Sequence, residues 1–114
     1  MINAKITAIS SYVPDQMVLN KWFTKTMDTS EEWIVSRTGI RERRFSAPDQ
    51  FTSDLAIKAV ENLLVQNPEA SSHNIDFIIV ATTTADQVMP NMASRVQNHF
   101  KINNQPFLSS WGMS

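Results

Sequence analysis

Phe77, Ile78, Ile79, Val80 and Ala81 form an unbroken apolar run between Asp76 and a triple threonine, Thr82, Thr83 and Thr84. Five consecutive apolar residues leave no polar face, so the run predicts a central strand covered by helices on both sides. Helical patterns flank it. Over 53–66, Leu55, Ala56, Ala59, Val60, Leu63 and Leu64 share one stripe while Asp54, Lys58, Glu61 and Gln66 fall elsewhere, and Pro68 stops the pattern. After Pro90, Met92, Ala93, Val96 and Phe100 recur at helical spacing, with Lys101 near the expected helix end. Strands alternating with covering helices predict an α/β layered architecture with a mainly parallel sheet. In such sheets sites gather beyond the carboxyl ends of strands, here residues 82–89.

Toward the N-terminus, Ile2, Ala4, Ile6 and Ala8 alternate with Asn3, Lys5 and Thr7, the period of a strand with one buried face. A short amphipathic helix is expected over 21–27, with Asn20 as its cap, burying Trp22 and Phe23. The next helix, over 30–37, is punctuated at both ends. Thr29 and Glu32 stand at capping-box spacing, and Gly39 sits where a left-handed C-terminal residue belongs. Beyond it, Arg41, Glu42, Arg43 and Arg44 make 40–45 a solvated edge strand or loop.

Several kinds of chemistry are excluded by composition. The 114 residues contain no cysteine, so disulfides, thiolate metal sites and cysteine nucleophiles are impossible within the chain. With only Gly39 and Gly112, it has no glycine-rich phosphate loop. Ten Lys and Arg balance eleven Asp and Glu, which disfavours nucleic acid as a partner. No segment approaches the roughly 18 apolar residues of a membrane span, and no basic-then-apolar leader opens the chain, so no membrane role and a cytoplasmic location are expected. Exposed sheet edges and apolar helix faces predict that the isolated chain is oligomeric, aggregation-prone or only marginally folded.

Trp33 and Arg37 are four residues apart on the capped helix, which puts an indole and a guanidinium on one face. Two flat groups so placed can hold a planar heterocycle such as a nucleotide base. They can equally contact each other with no ligand, and spacing by itself favours that plainer outcome. Arg41, Arg43 and Arg44 suit phosphate or an acidic carrier, or simply form a solvated segment. His73 and His99 have no neighbour in sequence that suggests catalysis, and no metal site is expected.

The stretch Asp28-Thr29-Ser30-Glu31-Glu32-Trp33-Ile34-Val35-Ser36-Arg37-Thr38-Gly39-Ile40-Arg41-Glu42-Arg43-Arg44 resembles the N-terminal region of β-ketoacyl-acyl carrier protein synthase III, a thiolase-like condensing enzyme. Ser11-Tyr12-Val13-Pro14, and Ile79-Val80-Ala81-Thr82-Thr83-Thr84 followed by Met89-Pro90, extend the likeness. The resemblance implies a thiolase-like layered fold, incomplete, corresponding to the N-terminal part of its first half over 1–107, with 108–114 an unrelated tail. It implies an acyltransferase that condenses an acyl-coenzyme A primer with malonyl-acyl carrier protein to initiate fatty acid synthesis. Coenzyme A enters as a thioester substrate, no prosthetic group is implied, and the full-length family is homodimeric. Trp33 and Arg37 would clasp the adenine and Thr29 would contact the same nucleotide. Arg41 and Arg43 would meet phosphates or the carrier, and Met89, where many members have phenylalanine, would shape a partner's acyl pocket across the dimer. The family's catalytic cysteine, histidine and asparagine have no counterparts here. Such a chain is expected to be inactive alone. The alternative is a non-catalytic fragment that binds coenzyme A or associates with full-length synthases through 84–92.

Overall fold

A computed structural model describes residues 3–102 and 107–111, which fall into two compact units. One comprises Val13–Gln50; the other joins Met1–Tyr12 to Phe51–Ser114.

In the smaller unit, β1 (Gln16–Leu19) pairs antiparallel with β2 (Glu42–Phe45), Gln16 opposite Phe45 and Leu19 opposite Glu42. The charged segment after Gly39 is therefore an edge strand. Its partner β1 has no mark in the sequence, because four residues without alternation carry no periodic pattern. The helix expected over 21–27 is a single turn, α1 (Asn20–Phe23), followed by turns through Thr26. Asn20 does not cap it. Its side chain is buried, with Nδ2 donating to the Ile40 carbonyl at 2.7 Å and Oδ1 accepting from Arg43 Nη1 at 3.0 Å. A buried amide needs partners for both ends, and these two join α1 to the strand entry. Trp22, Phe23 and Phe45 meet edge to face with centroids 5.0–6.3 Å apart.

Helix α2 (Glu31–Thr38) ends as expected at Gly39, whose φ of +70° only glycine adopts freely. Its start differs by one residue from the capping-box reading. Ser30, not Thr29, is the N-cap, its Oγ accepting from the Trp33 N–H at 3.1 Å. Adjacent hydroxyl residues compete for the cap position, and extended backbone at Ser30 (φ −127°, ψ 158°) brings its hydroxyl onto the free amides. Ser30→Ala should therefore cost about 1 kcal/mol in urea unfolding, whereas Thr29→Val should stay within about 0.5 kcal/mol of the parent. The opposite order would restore Thr29 as the cap.

In the larger unit, α3 (Thr52–Gln66) follows the predicted stripe, and Asp54 accepts from the Phe51 N–H at 2.8 Å. Helix α4 (Met92–His99) is capped by Asn91, which accepts from the Ser94 N–H at 2.9 Å, and it buries Met92, Ala93 and Val96 almost completely. It packs on α3 and lies against β3 (Ile78–Thr82) and β4 (Phe107–Trp111), which pair in parallel. Strand β4 runs across the expected boundary between 107 and 108, placing residues on both sides of it in one ladder.

Two expectations fail here. The strand expected over 2–10 does not form across 3–10, where Ile6 is 88% and Ile9 83% exposed. Alternation states which face a strand would bury, but a strand also needs a neighbour for its amides, and among the described residues this segment has none. Nor is β3 covered on both faces. α4 takes one, while Ile79 on the other remains 68% exposed.

Candidate functional site

The site grows from the start of α2. Trp33 emerges from its first turn 57% exposed, and Arg37 follows one turn later, also exposed. Neither ring nor guanidinium has a side-chain partner among the described residues, so the intrahelical contact that spacing favoured does not form. Beside Trp33 opens a pocket of about 580 Å³, walled by Phe23, Met27, Ile34 and Phe45 and edged by Thr29 and Arg43. Arg37 stands outside its lining. The Thr29 hydroxyl is buried and has no hydrogen-bond partner among the described residues. That is an unusual state for a buried polar atom, which ordinarily finds one.

The other candidate residues are placed as follows. Arg41 is exposed and unpaired among the described residues. Arg43 is half-buried, its guanidinium 4.8 Å from the Phe23 ring centroid and held by Asn20. It is thus bound into the aromatic wall of the pocket, a role that a charged run in sequence does not reveal. Arg44 is engaged with Glu42 at 3.3 Å and with the Asp15 carbonyl at 3.4 Å. Met89, at a cis peptide bond to Pro90, is 75% exposed on the 83–91 loop of the larger unit. His73 lies exposed on a short 3-10 turn, and His99 faces Glu61 at 3.3 Å, linking α4 to α3.

Beyond the carboxyl end of β3, the polar groups bind one another. Thr52 Oγ1 donates to the Thr84 carbonyl at 2.6 Å, and the Thr84 N–H donates to Thr82 Oγ1 at 3.0 Å. Asp86 reaches the start of α3, accepting from the Ser53 N–H at 3.0 Å and from the Ser53 hydroxyl, and it pairs with Arg95 at 2.9 Å. No local pattern marks Asp86 in the sequence, because its partners lie 33 residues before it and nine after it. Among the described residues no group of acidic or histidine side chains is placed to hold a metal, and no helix is long and apolar enough to cross a membrane.

No family model matches the chain. Solved structures do. The chain overlays on β-ketoacyl-[acyl carrier protein] synthase III from Thermus thermophilus with a TM-score of 0.84 at 45% identity, covering 94% of this chain and 33% of that one. With 3-oxoacyl-[acyl-carrier-protein] synthase III from Aquifex aeolicus the TM-score is 0.84 at 31% identity, covering 95% and 34%. These matches define the fold as part of the thiolase-like layered α/β fold of condensing enzymes. The sequence narrows the class. The chain is 48% identical over 99 residues to β-ketoacyl-[acyl-carrier-protein] synthase III 2 of Bacillus cereus, and 53% identical over 94 residues to the synthase III of Streptococcus sanguinis. Over most of its length it is a homologue of β-ketoacyl-acyl carrier protein synthase III, and it spans about 30% of the length of the curated relatives it matches.

Proposed function

We propose that this chain forms the nucleotide-holding part of a β-ketoacyl-acyl carrier protein synthase III, the acyltransferase class that starts fatty acid synthesis from an acyl-coenzyme A primer and malonyl-acyl carrier protein. One observation carries the reading: Trp33 and Arg37 stand free on one face of α2, next to the unpartnered hydroxyl of Thr29. Adenine stacks on the indole, with Arg37 over or beside it, and the buried Thr29 hydroxyl, on rotating toward the pocket that Thr29 lines, supplies a hydrogen bond that its oxygen otherwise lacks. Coenzyme A is a substrate in this reading, not a resident cofactor. Arg41, free at the surface, is the better placed of the two remaining arginines for a phosphate or an acidic carrier, since Arg43 is already engaged with Asn20 and Phe23. The setting is cytoplasmic, and Met89 serves a homodimer of the full-length enzyme.

Without a cysteine the chain binds the thioester and does not take its acyl group. Loss of a base-stacking aromatic costs about 1–3 kcal/mol, so Trp33→Ala should weaken coenzyme A binding by about 5- to 150-fold. Arg37→Ala should weaken it by about tenfold, the loss of one charge-assisted contact. Calorimetric titration checks both, and unchanged affinity in the two variants defeats the proposal. Labelled acetyl-coenzyme A should leave no covalent label on the chain. A second reading, association with full-length synthases through 84–92, is favoured by the exposure of Val88 and Met89, at 65% and 75%. Co-purification with such a synthase, lost on Met89→Asp, supports it.

A further inference from the structure

Three elements of the smaller unit wall the Trp33 pocket: α1 brings Phe23, α2 brings Trp33 and Ile34, and β2 brings Arg43 and Phe45. One side chain joins all three without lining the pocket itself. Asn20 opens α1, is 2% exposed, and is bonded both to Ile40, just past the Gly39 terminus of α2, and to Arg43 on β2. The Ile40 carbonyl can only accept, so it takes the amide nitrogen at 2.7 Å and leaves the amide oxygen facing Arg43 Nη1 at 3.0 Å. The orientation of one buried amide thereby fixes a guanidinium, which lies 4.8 Å from the Phe23 ring centroid. Phe23 in turn meets Phe45 edge to face. A residue outside the lining thus holds, in sequence, one cation and two rings that belong to it.

We propose that Asn20 is a positioning residue for the Trp33 pocket: through Arg43 and Phe23 it sets the pocket's affinity for the adenine end of coenzyme A. This role rests on the coenzyme A reading above. An arginine side chain has many rotamers, and a ligand entering beside an unheld one has to order it on binding, which weakens affinity without removing any contact to the ligand. With Asn20 in place that ordering is complete once the chain has folded. Arg43 acts here as wall and not as a phosphate contact, because Asn20 and Phe23 already engage it. The effect therefore falls on the base, whatever phosphates the ligand carries.

NMR titration of the full chain with coenzyme A and with adenosine reads the affinity, and the Arg43 Nε proton, moved upfield by the Phe23 ring, reads the contact. Asn20→Leu should weaken both ligands by about 3- to 10-fold, the cost of ordering one long side chain, and return that proton to its ordinary position. Arg43→Gln should match the loss, and the double variant should bind no more weakly than Arg43→Gln alone, because Asn20 acts through Arg43. Asn20→Asp keeps the acceptor and drops the donor, so it should bind adenosine like the parent while losing stability at Ile40. A side chain needed only for folding would show no such rescue. If Asn20→Leu does not fold, Arg43→Gln and Asn20→Asp decide, and parent affinity in Arg43→Gln overturns the proposal. Losses that add in the double variant overturn it, as does a loss confined to coenzyme A, which would make Arg43 a phosphate contact. A parent that binds coenzyme A and an Asn20→Leu variant that binds it equally well overturn this role alone. A parent that binds neither ligand defeats the coenzyme A reading and this role with it.

Discussion

Asp86→Ala should destabilise the chain by about 3–4 kcal/mol, the sum of two buried donors left unpaired and one ion pair removed. The carboxylate is 4% exposed and ties three groups together: the Ser53 N–H, the Ser53 hydroxyl and the Arg95 guanidinium. Ser53 is completely buried, so neither of its donors can turn to water once the acceptor is gone. Arg95 is 35% exposed and can be rehydrated, which keeps its share of the loss small. The N-terminal amides of α3 also lose an anion that complements their partial positive charge. Asp86→Asn separates these contributions. An amide still offers one acceptor to Ser53 but presents no charge to Arg95, so its cost should be about half that of alanine, between 1 and 2 kcal/mol. Urea unfolding of the two variants against the parent measures both. Equal midpoints for parent and Asp86→Ala would mean the loop is held by something other than this carboxylate.

Asn20→Leu is the second large effect, expected at about 1–3 kcal/mol because, at a position that is itself buried, it removes the donor to the part-buried Ile40 carbonyl and the acceptor of the half-buried Arg43 guanidinium. The shape is nearly preserved, so little of that loss comes from a cavity. Ile40 loses the donor at 2.7 Å, and Arg43 loses the acceptor that steadies it above Phe23. Asn20→Asp should fare no better than Leu at the Ile40 end, since a carboxylate oxygen would face a carbonyl oxygen, yet it should hold Arg43 more firmly. The ordering of the two variants in chemical unfolding distinguishes the roles. A near-neutral Asn20→Leu would show that water satisfies Ile40 and that the amide is dispensable.

What could be read beforehand follows the range of the interactions involved. Helices α3 and α4 and the Gly39 terminus depend on neighbours within a turn or two, and the spacing of Leu55 to Leu64, of Met92 to Val96, and of Gly39 itself displays them directly. Strand pairing has no such local mark. The period-two segment at 3–10 has no strand partner among the described residues, whereas unpatterned Gln16–Leu19 has one 23 to 29 residues away. The free faces of Trp33 and Arg37 were visible as spacing, and the resemblance around 28–44 singled them out. The engagement of Arg43 with Asn20 and Phe23 was not visible, because a hydrogen bond across 23 residues leaves no pattern in the order of the chain.

Two neighbouring hydroxyls at the head of α2 divide their labour. Because Ser30 secures the helix, Thr29 is released from any duty to the backbone. A residue of about the same size in that position can lose the hydroxyl with hardly any effect on whether the protein folds, so such variation would report on what the pocket beside it meets. Position 30 lacks that freedom. A library randomised at the two sites and sorted separately for expression and for ligand capture should split cleanly, with one site governing yield and the other recognition.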